Sequence, residues 1–371
     1  MIVSRIILYI MTLFFVLGAL DRCFGNKIGL GAEFERGFSL MGPTALTIIG
    51  LICAAPFIAR VIQPVVVPIY SFLGADAAMF AGTFLSADTG GYSISAQLAT
   101  DPQLALFGGI IVATMMGATV SFAIPVAYGI IEKKDTKYLA TGVLSGFIFD
   151  PLACFFGGLA MGLSPLVAAR NLVPVVIIAF VIVLGLFFLP QLMIGAFRVL
   201  ARGLLVVVTL GLILAAVEKL VGLTIVEDFT PIENGFLILG SVVLSLSGAL
   251  PFAWFLHRLL KRPLCFLGSK IGINDVAVLA AVISVTSLVP VFATFKNMNV
   301  RGKVVTAALA ASFSNLLGAH LGFTASIAQE MIGPMLLAKV LAGLFAIPTA
   351  LFFAKRLFSE EIKQERTAKA S

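Results

Sequence analysis

Apolar runs of about 20 residues, the length that crosses a hydrocarbon core, recur from one end of the chain to the other. They fall at 4–20, 37–62, 104–131, 137–162, 170–190, 200–222, 235–259, 303–328 and 334–357. This pattern predicts an all-α polytopic membrane protein, because only helices can satisfy every backbone group within such runs. Two other segments, 74–99 and 272–295, are apolar but broken by glycine, proline and hydroxyl residues. They are too irregular for ordinary spans.

The chain resembles itself at a shift of about 197 residues. "LGALDR" (17–22) aligns with "LAAVEK" (214–219), and "ERGFSLMG" (35–42) with "ENGFLILG" (233–240). "APF" (55–57) meets "LPF" (250–252), "FLG" occurs at 72–74 and 266–268, and "MGATVSF" (116–122) meets "LGAHLGF" (317–323). A common order at a near-constant shift implies duplication. The expected organisation is a first repeat (1–163), a linking helix (164–196), a second repeat (197–358) and a tail (359–371). Each repeat has four spans and one broken segment.

Charge placement decides what the broken segments do. If both cross, the 25 lysines and arginines divide 12 against 13, contrary to the positive-inside bias of short loops. If both enter and return on one side, 20 lie on one face and five on the other, namely Arg5, Arg60, Arg170, Lys219 and Lys339. The second arrangement predicts nine spans plus two re-entrant hairpins, with the N-terminus outside and the C-terminus cytoplasmic. Five spans separate equivalent points, so the second repeat is inverted. Equivalent loops then carry opposite basic content: "EKKDTK" (132–137) has three lysines and "AQEMIGP" (328–334) none, while the Arg60 loop has one basic residue and "HRLLKRPLCFLGSK" (257–270) four. Inverted repeats with broken helices near the midplane are a transporter architecture. Met1–Leu20 lacks a small-x-small cleavage site before Asp21 and is expected to remain as the first helix.

The hairpin reading locates candidate chemistry. Asp76 to Leu85 spans about 15 Å as helix, half of a hydrocarbon core, and Ser93 to Ala99 can return. Gly90 and Gly91 permit the turn. "SADTGGY" would then be a tip with free backbone groups beside Ser86, Asp88, Thr89 and Tyr92. A carboxylate at that depth costs roughly 2.5–3.5 kcal/mol on insertion scales, offset if Asp88 meets a cation; the alternative is that it caps the second arm. Tyr92 can face a cation, though packing is the commoner role for such a ring. Asp150, before Pro151, is the second deep acid; its counterpart Ile347 before Pro348 shows that the fold does not demand it. His320, opposite Thr119, is a packing residue or a ligand. Thr286 and Ser287 at the second tip, and Asn315 in "SFSN", add uncharged polar groups. Asp76, Asn274 and Asp275 are expected to cap hairpin arms.

Composition narrows the class. The chain is 60% hydrophobic and 12% charged, with net charge +7 and mean hydropathy +1.11. The excess of positive charge orients the protein in the bilayer, its first partner, and nucleic-acid binding is not expected. Four scattered cysteines and two histidines make no metal or disulfide pattern. No cofactor or metal is expected: P-loop, zinc-pair and nucleophile-elbow motifs are absent. A secondary transporter or facilitator is the leading function, and a membrane-embedded enzyme using Asp88 or Asp150 with His320 is the rival. Homo-oligomer formation is left open.

"LDRCFGNKIGLGAEFERGF" (20–38), "LGADAAMFAGTFLSADTGGY" (73–92) and "GIIEKKDTKYLATGVLSG" (129–146) resemble the ethanolamine-utilisation permease family. The resemblance covers most of the chain and is densest in the first half. It rests on a GADPAMFA-like start at Gly74 to Ala81 and an acid-x-Gly-Gly-Tyr tip at Asp88, Gly90, Gly91 and Tyr92. "FIFDP" at Asp150 departs from the more apolar stretch expected there. The resemblance implies uptake of ethanolamine across the bacterial inner membrane to feed its catabolism. Spacing alone leaves other small polar or cationic solutes open.

Overall fold

Helices account for the regular structure in the computed structural model, which describes residues 2–86 and 91–370. Among the described residues, eight helical stretches are long and apolar enough to cross a membrane. In chain order the elements are α1 (Ile2–Cys23), α2 (Leu30–Ser39), α3 (Met41–Phe72), α4 (Ala78–Phe84), α5 (Gly91–Leu98) and α6 (Pro102–Ile130). They continue with α7 (Thr136–Phe147), α8 (Asp150–Ala160), α9 (Pro165–Phe188), α10 (Pro190–Val221) and α11 (Ile232–Ile271). Then come α12 (Asp275–Ser284), α13 (Val289–Ala293), α14 (Val300–Ser312), α15 (Ala319–Ile327), α16 (Ile332–Leu357) and α17 (Ser359–Ala370).

Three expectations need correction. The eighth of the nine expected spans, 303–328, is not one helix: α14 stops at Ser312 and α15 starts at Ala319. The stretch expected to loop around Arg60 is helical, because α3 continues to Phe72 through Pro56, Pro64 and Pro68. Proline removes one backbone bond, a loss that neighbouring helices and local rewinding can absorb in membrane proteins. Likewise "HRLLKRPLCFLGSK" continues α11 to Ile271. Its 40 residues reach about 60 Å, twice a hydrocarbon core. The extension carries exposed Leu259, Phe266 and Leu267 among Arg258, Lys261, Arg262 and Lys270, a composition suited to the membrane interface.

The polar contacts gather at two ends. At one, Ser4 Oγ donates to Glu330 O (3.1 Å), Arg60 pairs with Asp228 and Lys219 with Glu233. There too Asp76 Oδ2 accepts from the amide (2.9 Å) and hydroxyl (2.6 Å) of Thr100, while Asp76 N donates to Asn171 Oδ1 (2.7 Å). At the other end, the Asp21 carboxylate accepts from the amides of Ile28, Gly29 and Gly31 and ties α1 to α2. Asn274 and Asn299 bond to each other's backbone, Lys303 pairs with Asp135 at 2.6 Å, and Lys137 with Glu361 at 2.8 Å. α16 runs from the first end to the second.

Candidate functional site

Between the two ends the long helices lose regularity. α6 is wound as π-helix over Phe107–Gly117 and Thr119–Ala123. Wide turns of this kind free backbone carbonyls and are frequent at functional sites. The break between α14 and α15 does the same over residues 313–318, where Asn315 takes a left-handed φ of 54°, a conformation asparagine tolerates better than most residues. There Asn315 N donates to Ser284 O and Leu317 N to Val285 O, each at 2.9 Å. The break is thus bonded to the end of α12.

Two glycines set these approaches. A Cβ on Gly117 would collide with Gly82 O and Ser86 Oγ, and one on Gly318 would lie 2.5 Å from Thr286 O. Each irregular helix therefore presses its bare backbone against one of the two broken segments. Gly91 closes on the same place: its added Cβ would lie 3.0 Å from Ser86 Cα.

Lys339 joins the two irregular helices. It sits in α16, is 1% exposed, and its ammonium donates to Thr114 O and Ser314 O, both at 2.8 Å. Thr119 Oγ1 makes a second link across the same seam, to Ala311 O. The expected place of Lys339 among the outside basic residues is overturned, since its side chain is in the core. Without it, the split expected from the re-entrant arrangement would be 20 to four. The position carried a signal that was missed: a lysine seven residues into an apolar helix is about 10 Å from its start, too deep to be loop charge.

Asp150 lies within electrostatic reach of this lysine. α7 ends at Phe147 and α8 starts at Asp150, so the chain breaks its helix just before Pro151, whereas α16 runs unbroken through Pro348. Asp150 is wholly buried and interacts electrostatically with Lys339. Neither of its oxygens has a hydrogen-bond donor among the described residues. The other buried acids are better served: Asp21 and Asp76 hold backbone amides and Asp135 holds Lys303.

The remaining expected residues divide. Ser86, Gly91, Thr286 and Asn315 lie at the contacts just described. Thr286 Oγ1 is spent on Ile283 O at 3.1 Å. Ser287, half-buried, donates its amide to Ile283 O. Tyr92 packs: a Cβ on Gly109 would lie 2.5 Å from its Cα, and its ring joins two apolar clusters. His320 is fully buried near the start of α15. Asp88, Thr89 and Gly90 lie outside the described residues. Asp76 Oδ1 accepts from Ala78 N (2.8 Å) and Asn274 Oδ1 from Ala277 N (3.3 Å), so both start their helices as expected.

Residues 3–353 match the family described as "Ethanolamine utilisation protein, EutH". The chain belongs to the EutH family. It is 44% identical over 368 residues to "Probable ethanolamine permease EutH" of Listeria monocytogenes, covering 99% of both chains. The protein of the same name from Salmonella typhimurium is 35% identical, with 99% of this chain and 100% of that one covered. "Uncharacterized protein YxeR" of Bacillus subtilis is 36% identical over the full length of both. No solved structure matches. EutH relatives thus span the whole chain, including both irregular helices and Lys339.

Proposed function

We propose that the protein is an ethanolamine permease of the bacterial inner membrane, a transporter rather than an enzyme. The observation that carries the reading is Asp150: a carboxylate without exposure, and without a hydrogen-bond donor among the described residues, within electrostatic reach of the lysine that bridges both irregular helices. Such a group is costly unless a cation meets it. Ethanolamine offers an ammonium with three donors and a hydroxyl that can use freed carbonyls. The names of the full-length relatives point to the same solute.

The architecture proposed is two inverted repeats, each with one re-entrant hairpin, with the N-terminus outside and the C-terminus cytoplasmic. Three features support it. Asp76 bonds Thr100 and Asn274 bonds Asn299, so each broken segment begins and ends together. The irregular part of α6 and the break after α14 occupy equivalent positions in the repeat. The end that gathers Asp135, Lys137 and Lys303 is the basic one. Asp88 is carried forward from the sequence as a second deep acid. Two carboxylates and Lys339 sum to one negative charge, which one ammonium balances.

The test is uptake of labelled ethanolamine into liposomes holding the purified protein, with Asp150→Asn and Asp88→Asn alongside. Each variant should raise the half-saturating concentration about ten-fold or more, the size of a charge-assisted contact. Unchanged concentration dependence in both would remove the carboxylates from substrate binding.

A further inference from the structure

A groove of about 520 Å³ lies between α3 from Val61 to Leu73, α4 at Phe80 and Phe84, and α9 at Pro174 and Ile177. Tyr70 is the one wall residue with a polar side chain. It is 5% exposed, its ring stands edge-on to Phe80 at 6.0 Å, and its hydroxyl has no hydrogen-bond partner among the described residues. A buried phenol usually finds such a partner, and leaving the bond unmade costs the desolvation of the group. Four residues on, a Cβ on Gly74 would lie 2.7 Å from Arg170 Nε. Arg170 is exposed there and, unlike Arg60 and Lys219, has no carboxylate partner among the described residues. Arg170, Pro174, Ile177 and Ile178 are spaced to share one face of α9. That face leads from the arginine about 12 Å along the span, most of the roughly 15 Å depth of one leaflet's hydrocarbon.

We propose that this groove is a binding site for one anionic glycerophospholipid, with its phosphate on Arg170, an ester carbonyl accepting from the Tyr70 hydroxyl, and an acyl chain along α9 against Phe84. A cation, a hydroxyl and an apolar trough follow one another as phosphate, ester and chain do in such a lipid. The headgroup is anionic because a zwitterionic one brings an ammonium that no acid meets. The groove wall holds no carboxylate, and that of Asp76, two residues beyond Gly74, is engaged by Ala78 N and by Thr100. A second copy of the chain would have to supply the acceptor for Tyr70 and the anion for Arg170 from an apolar flank. The site also has a role in the fold. α4 is the first arm of the first broken segment, and its Phe80 and Phe84 form one wall of the groove. A seated lipid therefore buttresses that arm from the bilayer side.

The experiment uses the full chain in detergent micelles. Native mass spectrometry counts bound lipid as phosphatidylglycerol or phosphatidylcholine is added. Wild type should bind one phosphatidylglycerol saturably, about ten-fold more tightly than phosphatidylcholine, the size of a charge-assisted contact. Arg170→Ala should erase that preference. Tyr70→Phe keeps the ring and should weaken both lipids about three-fold or more, the loss of one neutral hydrogen bond. Ile177→Trp fills the trough and should abolish the site. Phosphatidylglycerol should slow amide exchange over residues 78–84 in wild type and leave it unchanged in Ile177→Trp. Glycerol phosphate, which has no chains, should not displace the lipid. Unsaturable binding of both lipids alike, an annular shell only, overturns the proposal. So does a Tyr70→Phe protein with unchanged affinities, displacement by glycerol phosphate, or exchange over 78–84 that ignores the lipid. A wild-type dimer that Ile177→Trp splits would put a second copy in the groove and overturn it as well. If a bulkier change prevents folding, the conservative Tyr70→Phe still decides.

Discussion

Asn274 and Asn299 each accept a hydrogen bond from the other's backbone amide, at 3.3 and 3.2 Å, across 25 residues of chain. Each also starts a helix, Asn274 opening α12 through Ala277 N and Asn299 opening α14 through Gly302 N. Both amide groups donate as well, Asn274 to Asn297 O and Asn299 to Gly272 O. The pair therefore fixes where the second broken segment leaves and rejoins the fold. Asn274→Ala and Asn299→Ala should each cost about 1–2 kcal/mol, the range of a lost cap and its bonds. The double variant should cost less than the sum by roughly 0.5 kcal/mol or more, as expected of residues sharing one network. Melting of the four proteins in detergent measures this, and strict additivity would mean the two side chains work alone.

Sidedness follows from the charge split. Gln103 and Lys134 are both exposed, at opposite ends of α6. Single cysteines at the two positions, on a background lacking Cys23, Cys53, Cys154 and Cys265, should react differently with a membrane-impermeant thiol reagent. Gln103→Cys should label in intact cells and Lys134→Cys only after lysis. Labelling of both from outside would sink the proposed topology.

The Asp135–Lys303 pair is 2.6 Å long with side chains 3% and 9% exposed. The ammonium also lies 5.3 Å from the Tyr138 ring centre. The pair bonds the start of α7 to α14, hence one half of the chain to the other. Removing one partner of a buried pair strands the other charge, at a cost of about 3–5 kcal/mol. Asp135→Asn should destabilise the protein by that order. Asp135→Asn with Lys303→Met should recover at least half of the loss, since no lone charge remains. A double variant as unstable as the single one would show that the side chains pack rather than neutralise each other.

α17 is docked through charge. Lys137 donates to Glu361 at 2.8 Å, and Glu365 accepts from Val300 N at 3.1 Å. The bond from Lys137 holds the Glu361 carboxyl below its ordinary value. A folded-state value lower than the unfolded one means the contact contributes fully above the ordinary carboxylate range. Its contribution fades as pH falls through the lowered folded value. Docking should therefore be constant from neutral pH down to the ordinary carboxylate range and weaken only in stronger acid. Glu361→Gln should abolish this acid-dependent step. Limited proteolysis of the 359–370 segment against pH reads both; release beginning near neutral pH would contradict the assignment.

Much of the architecture was legible because membrane helices announce themselves. A run that must bury its backbone in lipid has to be apolar over its whole length, so α1, α6, α9 and α16 were visible in hydropathy alone. Asp76 and Asn274 were legible as helix starts because capping is local chemistry. The breaks at Asp150 and after Ser312 were harder. Asp150-Pro151 marked a kink, but nothing between Ser312 and Ala319 marks a non-helical stretch, since "FSNLLG" can continue a helix. Its geometry comes from Gly318 and Asn315 meeting the end of α12, a partner about 30 residues away in the chain.

What the sequence by itself determined was the class, most of the spans, the two broken segments and the charge bias. Each follows from local composition, because transfer from water to lipid is decided nearly residue by residue. What only the tertiary structure decided was the centre. Lys339 looked like one of five stray basic residues, and Thr114, Thr119 and Ser314 like ordinary hydroxyl residues of membrane helices. The fold brings the two carbonyls together across 200 residues and places the lysine of a third helix between them. No local pattern encodes that meeting. This buried charge is tolerated because of partners distant in the chain, and their identity exists only once the helices have packed.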